Sequence, residues 1–399
     1  MANHSLQSVR RHHLMAVLHR IREQPGISRA QLARRLHLSR PAVSELVSQL
    51  LADGLVKENG TENASSQGGR RPTNLVFDPS AGYVLGIDIG ATKTLIVLSD
   101  LEGAIQQHYR FDSHAHDSDH LTHILHHVKR FMAQVEHFNI IGTGIGLPTA
   151  VDPHSGVITI PPGLPVNTND LRVQLSKCLP APMIIENDVN MAVLGEQWKG
   201  AARGLSNVVM VSIGTGIGAG ILLNGQLYRG AKGFAGEIGY FQFDPAHQSP
   251  VSSVTEYGAL EQIASGNGIV SRATQLLPRF PASVLHQGSR TTQAVFDAAK
   301  AHDPLATQLI QEALIHLSLA VSQVISLLDL DMVILGGGVL KAGDFIVSEI
   351  VRQVQSATPL SCKVVKADLG DQAEAIGAVA RVLLETELIP QGFSGGLST

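Results

Sequence analysis

Cysteine is almost missing from these 399 residues. Cys178 and Cys362 are too few for a disulfide framework, and their spacing matches no metal-binding pattern. Aromatic residues make up only 4% of the chain. No run approaches the ~18 to 20 apolar residues that a membrane span needs. The stretch from Met1 to Arg11 is polar and basic, with no apolar signal-peptide core behind it. These absences predict a reduced, cytoplasmic protein with no membrane partner. What is abundant is ordinary for a globular chain: 44% hydrophobic residues, 16% charged residues and 39 glycines. The length suffices for two or three domains, each with its own core.

The net charge of −4 conceals an uneven distribution. Residues 1–75 carry 11 Lys/Arg against 5 Asp/Glu, a net of +6, and the remaining 324 carry 19 against 29, a net of −10. A basic head on an acidic body implies an anionic partner for the head alone, although a solvated basic face would give the same count.

The head has more than charge. Leu14, Val17, Leu18 and Ile21 fall at helical spacing, and Gln24-Pro25-Gly26 ends that helix. Ser28-Arg29-Ala30-Gln31 reads as a capping box opening a second short helix through Leu36. Ser39 reads as the N-cap of a third helix, Arg40 to Ala52, with Val43, Leu46, Val47 and Leu50 facing inward. Asp53-Gly54 ends it, and Leu55-Val56-Lys57 starts a wing. This is helix-turn-helix spacing, with the third helix free to enter a major groove. Arg40, Pro41, Ser44, Glu45 and Ser48 face away from its apolar stripe. Arg40, Pro41, Ser44 and Ser48 are the candidate DNA contacts, Arg40 and Ser44 foremost.

From Glu58 to Asn74 the chain turns small and polar, and is read as a loop. Its Gly68-Gly69-Arg70-Arg71-Pro72 holds two arginines in an extended frame, suited to a narrow minor groove; an interdomain linker has the same composition.

From Tyr83 the pattern becomes α/β. Tyr83–Asp88 reads as a buried strand, and Leu95–Leu98 pairs back across Gly90-Ala91. The design recurs at Val208–Ile213, the glycine-rich turn Gly214–Gly220 and Ile221–Gly225, which suggests two duplicated lobes facing one cleft. Backbone N–H groups in glycine turns can cradle phosphate oxygens. Asp88, Gly90, Thr92 and Lys93 in the first turn, with Gly214, Thr215 and Gly216 in the second, are the candidate nucleotide ligands. A carboxylate such as Asp88 can hold the water shell of Mg²⁺. Ile184–Asn190 is a strand running into a helix, where Asp188 is either an N-cap or a base for a sugar hydroxyl. His114, His116, His120, His123, His126, His127 and His137 crowd one region and read as the solvated face of a surface helix.

Asp88-Ile-Gly-Ala-Thr-Lys93, Glu186-Asn-Asp-Val-Asn190, Gly214-Thr-Gly-Ile-Gly-Ala-Gly220, Ala235-Gly-Glu-Ile-Gly239 and Leu260-Glu-x-x-Ala-Ser-Gly266 occur in order. Together with Val333–Gly338 and Ala375-Ile-Gly-Ala378, they resemble the ROK family of repressors, open reading frames and sugar kinases, over about residues 83 to 385. The N-terminal winged helix and Gly-Arg-Arg-Pro resemble its repressor branch. The resemblance implies a multidomain chain: a winged helix-turn-helix, mainly α, followed by a two-lobed α/β actin-like, ribonuclease-H-like ATPase fold. The expected divisions are 1–77 for the head, with wing and linker 58–74, then 80–191 plus 371–399 for one lobe and 192–370 for the other.

Roles also follow from the resemblance. Asp188 matches the catalytic base, which also binds the sugar; Asn187, Glu237 and Glu261 match sugar contacts; Gly337 joins the nucleotide set. Asn167 is similar to a sugar-binding Asn, although Asp170 stands where an aromatic is often found. Zinc-containing members follow Glu-Ile-Gly with His and then supply three Cys. Here Tyr240 takes that place, and residues 241–259 contain only His247, so no structural zinc is expected. The Tyr240 hydroxyl can replace the lost contact to sugar.

Two functions are compatible with this reading. The first is a sugar-responsive transcriptional regulator of carbohydrate metabolism, a repressor, binding double-stranded operator DNA as a homodimer or dimer of dimers, without a cofactor. The second is an ATP-dependent sugar kinase using Mg·ATP, with Asp188 as base. A DNA-binding head favours the first.

Overall fold

A computed structural model of the chain describes residues 2–61, 73–113, 120–154, 158–159, 168–243, 256–288 and 290–390. Its head consists of α1 (Ala2–Glu23), α2 (Arg29–Arg35), α3 (Arg40–Ala52) and an antiparallel hairpin of β1 (Val56–Thr61) and β2 (Thr73–Phe77). The capping box forms as its residue types require: the Gln31 N–H donates to Ser28 Oγ at 3.4 Å, and the Ser28 N–H donates to Gln31 Oε1 at 2.8 Å. Ser39 caps α3 through the Ala42 N–H at 3.3 Å. Val43, Leu46, Val47 and Leu50 are buried. One expectation is corrected here. The loop read over 58–74 is strand at both ends, because Glu58 pairs with Leu75 and Thr61 with Thr73. Polar residues suffice in a two-stranded ribbon whose outer face meets water, so its composition concealed the pairing.

The first lobe is built on β3 (Tyr83–Ile89), β4 (Lys93–Asp100), β5 (Ile105–Asp112), β6 (Ile140–Leu147) and β9 (Met183–Asn187). The small ribbon of β7 (Ala150–Val151) and β8 (Ile158–Thr159) lies beside it. Helices α4 (His120–Gln134) and α5 (Thr168–Leu175) intervene, and α6 (Asp188–Lys199) follows β9. The second lobe carries β10 (Val208–Ile213), β11 (Ile217–Leu223), β12 (Gln226–Leu227), β13 (Met332–Gly336) and β14 (Lys363–Lys366). Its helices are α7 (Ala259–Ala264), α8 (Gly266–Leu276), α9 (Thr292–Lys300), α10 (Pro304–Leu328) and α11 (Phe345–Ala357). The last helix, α12 (Ala373–Glu385), returns to β3 and β6.

The two sheets have one topology. Their orders are β5-β4-β3-β6-β9 and β12-β11-β10-β13-β14, each an antiparallel trio extended by two parallel strands. The central strands β3, β10 and β13 are almost wholly buried, as continuous apolar runs covered on both faces should be. The second glycine turn is shorter than the sequence suggested. Only Gly214–Gly216 turns, because Ile217 already pairs with Ile213 and glycines 218 and 220 belong to β11.

Helix α10 is long and apolar enough to cross a membrane by length and composition, but 61% of its apolar window is buried in the second lobe. Its Leu309, Ala313, Leu317, Ala320 and Val324 belong to that lobe's core, which accounts for the hydropathy. The histidine helix also differs from a simply solvated face. His127 is half-buried, stacked on Phe111 at 4.2 Å, with Nδ1 2.7 Å from the Tyr109 hydroxyl. Burial lowers its pKa, followed by the neighbouring charges of His123, His126 and Arg130. His114 and His116 lie outside the described residues.

Candidate functional site

The site forms where β9 ends and α6 begins. Asn187 is the N-cap of α6: its Oδ1 accepts the Asn190 N–H at 2.9 Å and its Nδ2 donates to Thr149 O at 3.0 Å. Asp188 is therefore the first helical residue and not the cap, which corrects one of its two readings. Its Oδ1 accepts the adjacent Val189 N–H at 2.8 Å, and its carboxylate lines the cleft. Desolvation raises its pKa to about 6, partly offset by backbone hydrogen bonds from Val189 and from its own amide.

Two cavities meet at Asp188. The smaller, about 180 Å³, is lined by Asn187, Asp188, Glu237, Tyr240, Glu256, Tyr257 and Glu261 together with the second glycine turn. Burial raises Glu237 to about 7, with the Glu261 and Asp188 charges adding to the shift. Glu261 is raised too, chiefly by burial. Both of its oxygens are already engaged, Oε1 by the Ile217 N–H and Oε2 by the Gly258 N–H, each at 2.9 Å. Glu261 thus ties β11 to the start of α7 while lining the cavity. The Tyr240 hydroxyl donates to Glu256 O at 3.2 Å. Asn167 and His247 lie outside the described residues.

The larger cavity, about 610 Å³, collects Asp88, Gly90, Thr92, Lys93, Gly214, Thr215 and Gly337 from three separated segments. Gly216 lines the smaller cavity instead, where a side chain would meet Glu261 Oε1 at 2.5 Å. Four charged residues were missed from the sequence. Asp371, Glu374, Lys341 and Lys366 also line this cavity, and no local pattern marks them. Asp371 accepts from Lys341 at 2.8 Å and pairs with Lys93 at 3.2 Å and Arg110 at 3.4 Å. Despite partial desolvation, Lys341 and Lys93 hold it at about 2. Asp88 is raised well above the usual carboxylate range, first by burial and then by the charges of Glu374 and Asp188. Glu374 is pushed to about 7 by burial, and the charge of Asp188 adds to it. Four carboxylates and three lysines line this cavity, and each lysine is paired, Lys366 with Asp344 at 2.7 Å. Among the described residues, no group of three or more His, Cys, Asp or Glu is arranged to hold a metal.

In the head, Arg40, Pro41, Ser44 and Ser48 are exposed along one side of α3. Glu45 is drawn to α1 by Arg10 at 3.0 Å, which also bonds Gln49. Exposed Arg34 and Arg35 in the last turn of α2 extend the basic face; their adjacency was the overlooked signal. Arg70 and Arg71 lie outside the described residues.

A winged helix-turn-helix ahead of two duplicated lobes, with glycine turns and an acid-lined cleft between them, defines a DNA-binding head on an actin-like body. The chain belongs to the ROK family, which residues 84–385 match, while residues 15–71 match the MarR family. It is 29% identical over 379 residues to the xylose repressor of Bacillus spizizenii, covering 92% of this chain and 94% of the relative. A ROK family transcriptional regulator described as a homolog of the E. coli MLC protein shares the fold, with TM-score 0.74, 23% identity, and coverage of 96% of this chain and 99% of the other. A ROK family glucokinase from Streptomyces griseus, in complex with glucose and AMPPNP, aligns at TM-score 0.62 and 26% identity over 75% of this chain and 98% of its own.

Proposed function

We propose that this protein is a sugar-responsive transcriptional repressor of carbohydrate-metabolism genes, which releases its operator when a sugar occupies the interlobe cleft. One observation carries the reading: a single chain holds a helix-turn-helix that exposes Arg40, Pro41, Ser44 and Ser48 on α3 beside Arg34 and Arg35 of α2, and a small acid-lined cavity. The repressor name of its B. spizizenii relative supports it. Our division assigns 1–77 to DNA, and 80–191 with 371–399 and 192–370 to the two lobes. Arg40, Pro41, Ser44 and Ser48 touch DNA, with Arg70 and Arg71 in the minor groove. A homodimer matches a pseudo-palindromic operator, one head to each half-site. DNA binding requires no cofactor, and the protein works in the cytoplasm, where its operator lies.

In the smaller cavity, Asp188 and Glu237 accept hydrogen bonds from sugar hydroxyls, while Tyr240 and Asn187 complete the polar rim; the family resemblance adds Asn167 as a further sugar contact. Glu261 contributes mainly by fixing the wall. Burial makes these carboxylates costly to leave unpaired and strengthens each bond they form.

Kinase activity is the second reading, favoured by the continuity of the two cavities through Asp188, Gly214 and Thr215. In the larger cavity Asp371 holds Lys93, so a triphosphate reaching that lysine has to displace the pair.

The test is to select DNA from a random-sequence library with the full chain, then measure gel shifts and melting temperature across hexoses and pentoses. A sugar that raises the melting temperature and weakens DNA binding is expected. No DNA selected, or sugar-dependent ADP release in a coupled assay with DNA binding unaffected, would overturn the regulator reading.

A further inference from the structure

The cleft and the DNA-binding head touch the same helix at opposite ends. The first turn of α12 brings Glu374 into the larger cavity. The turn after its last residue, Thr386–Ile389, receives α1 of the head. Arg22 Nη1 donates to Leu388 O at 2.6 Å, while Nη2 reaches Leu101 O on the β4–β5 turn at 3.3 Å. Arg11 pairs with Glu387 at 2.6 Å, and His19 Nε2 lies 2.9 Å from Glu387 O. Leu388 and Ile389 share one continuous buried cluster with Val17, Leu18 and Ile21 of α1. Glu387 itself stands at φ 62, a backbone region that non-glycine residues seldom enter, so the packing of this turn overrides local preference.

At the other end, α12 is interlocked with α6, whose first residue is Asp188. A methyl group at Gly377 would lie 1.6 Å from Met191 O, and one at Gly195 would lie 2.4 Å from Ala373 O. With backbones this close, neither helix can slide without displacing the other.

We propose that α6 and α12 form one interlocked pair that carries a change in the cleft to the DNA-binding head through the Thr386–Ile389 turn, with Arg22 as the coupling contact. Arg22 joins carbonyls on two different elements, the turn after α12 and the β4–β5 turn. Hydrogen bonds fade beyond about 3.5 Å, so a relative shift of about 1 Å is enough to break this fork and release α1. The functional half of the proposal rests on the reading of the cleft as a sugar-effector site.

The test compares Arg22→Met with wild type on the full chain, in two arms. Without any sugar, amide hydrogen exchange should rise in α1 and also in residues 373–385 and 188–199. A rise confined to the head overturns the linkage, whatever the sugars do. In the second arm, the sugar that shifts the wild-type melting temperature should shift the variant equally. Its effect on binding to the selected DNA should fall from the roughly 5- to 150-fold typical of coupled sites to under about 2-fold. A variant that keeps the full response overturns the coupling role of Arg22. A wild type with no response instead sinks the effector reading, and the exchange arm still decides the linkage. Glu387→Gln, altering an exposed side chain, serves if Arg22→Met fails to fold; it should reduce the response partially, and an unchanged response counts against the proposal.

Discussion

Asp188→Asn should make the protein more stable and, at the same time, deaf to sugar. Burial raises the Asp188 pKa from 3.8 to about 6, so the native state carries a carboxylate that it would rather keep protonated. The difference of roughly 2 units corresponds to about 3 kcal/mol at ~1.36 kcal/mol per unit, and water in the open cleft reduces this to about 1–2 kcal/mol. The sign follows from the raised value. Below the unfolded pKa both states are protonated and the penalty vanishes; above about pH 6 it is fully present. Asparagine retains an acceptor for the Val189 N–H and removes the charge. At pH 8 the variant should melt about 2–8 °C above wild type, at ~2–4 °C per kcal/mol for lobes of this size. The gain should shrink as pH falls toward 4, while any sugar-induced shift disappears. Differential scanning fluorimetry across pH 4 to 8, with and without sugar, reads both effects. A variant less stable at pH 8, or one whose gain is independent of pH, would refute the claim that a desolvated charge is held in this cleft.

The remaining predictions concern packing and DNA. Arg229→Met leaves Glu186, buried at 4% exposure, without the cation 2.5 Å from its carboxylate; a loss of about 3 kcal/mol is expected by denaturant titration, near the low end for broken buried pairs because Arg229 is a quarter exposed. Adding Glu186→Gln should recover part of that loss. Gly377→Ala forces a methyl group against Met191 O and should cost at least about 1–3 kcal/mol; a neutral result would show that α6 and α12 are not interlocked. Arg40→Ala should weaken DNA binding and reduce the log–log salt slope by about 1 if it contacts phosphate, leaving sugar-induced melting shifts unchanged. Unaltered DNA affinity for Arg40→Ala and for Arg70→Ala/Arg71→Ala together would remove the head from the mechanism.

Much of the head was legible because its signals are local. A cap lies three residues from its partner and an apolar stripe repeats within four, so Ser28, Ser39, Val43 and Leu50 could be placed without tertiary information. The duplicated lobes were legible for the same reason, since each strand and glycine turn is a contiguous pattern. Failures came where a partner supplied the decision. Glu58, Asn59 and Gly60 of the wing have little strand propensity of their own, and the pairings of Glu58 with Leu75 and Thr61 with Thr73 decide their state. His127 looked like a solvent residue until Phe111 and Tyr109 arrived from β5.

The chain's own residue order sets its elements, its duplicated pattern and the identity of the acids available to the cleft. It could not settle what those acids do. Asn187 rather than Asp188 caps α6 because Thr149, 38 residues away, orients its amide, and that leaves Asp188 facing the cavity. Asp371 and Glu374 reach the glycine turns only because α12 folds back onto the first sheet. Arg22 meets Leu388 across 366 residues of sequence. Local spacing encodes which turns and helices form. Desolvation, charge pairing and the contacts between head and cleft depend on distances in space, and folding alone creates those.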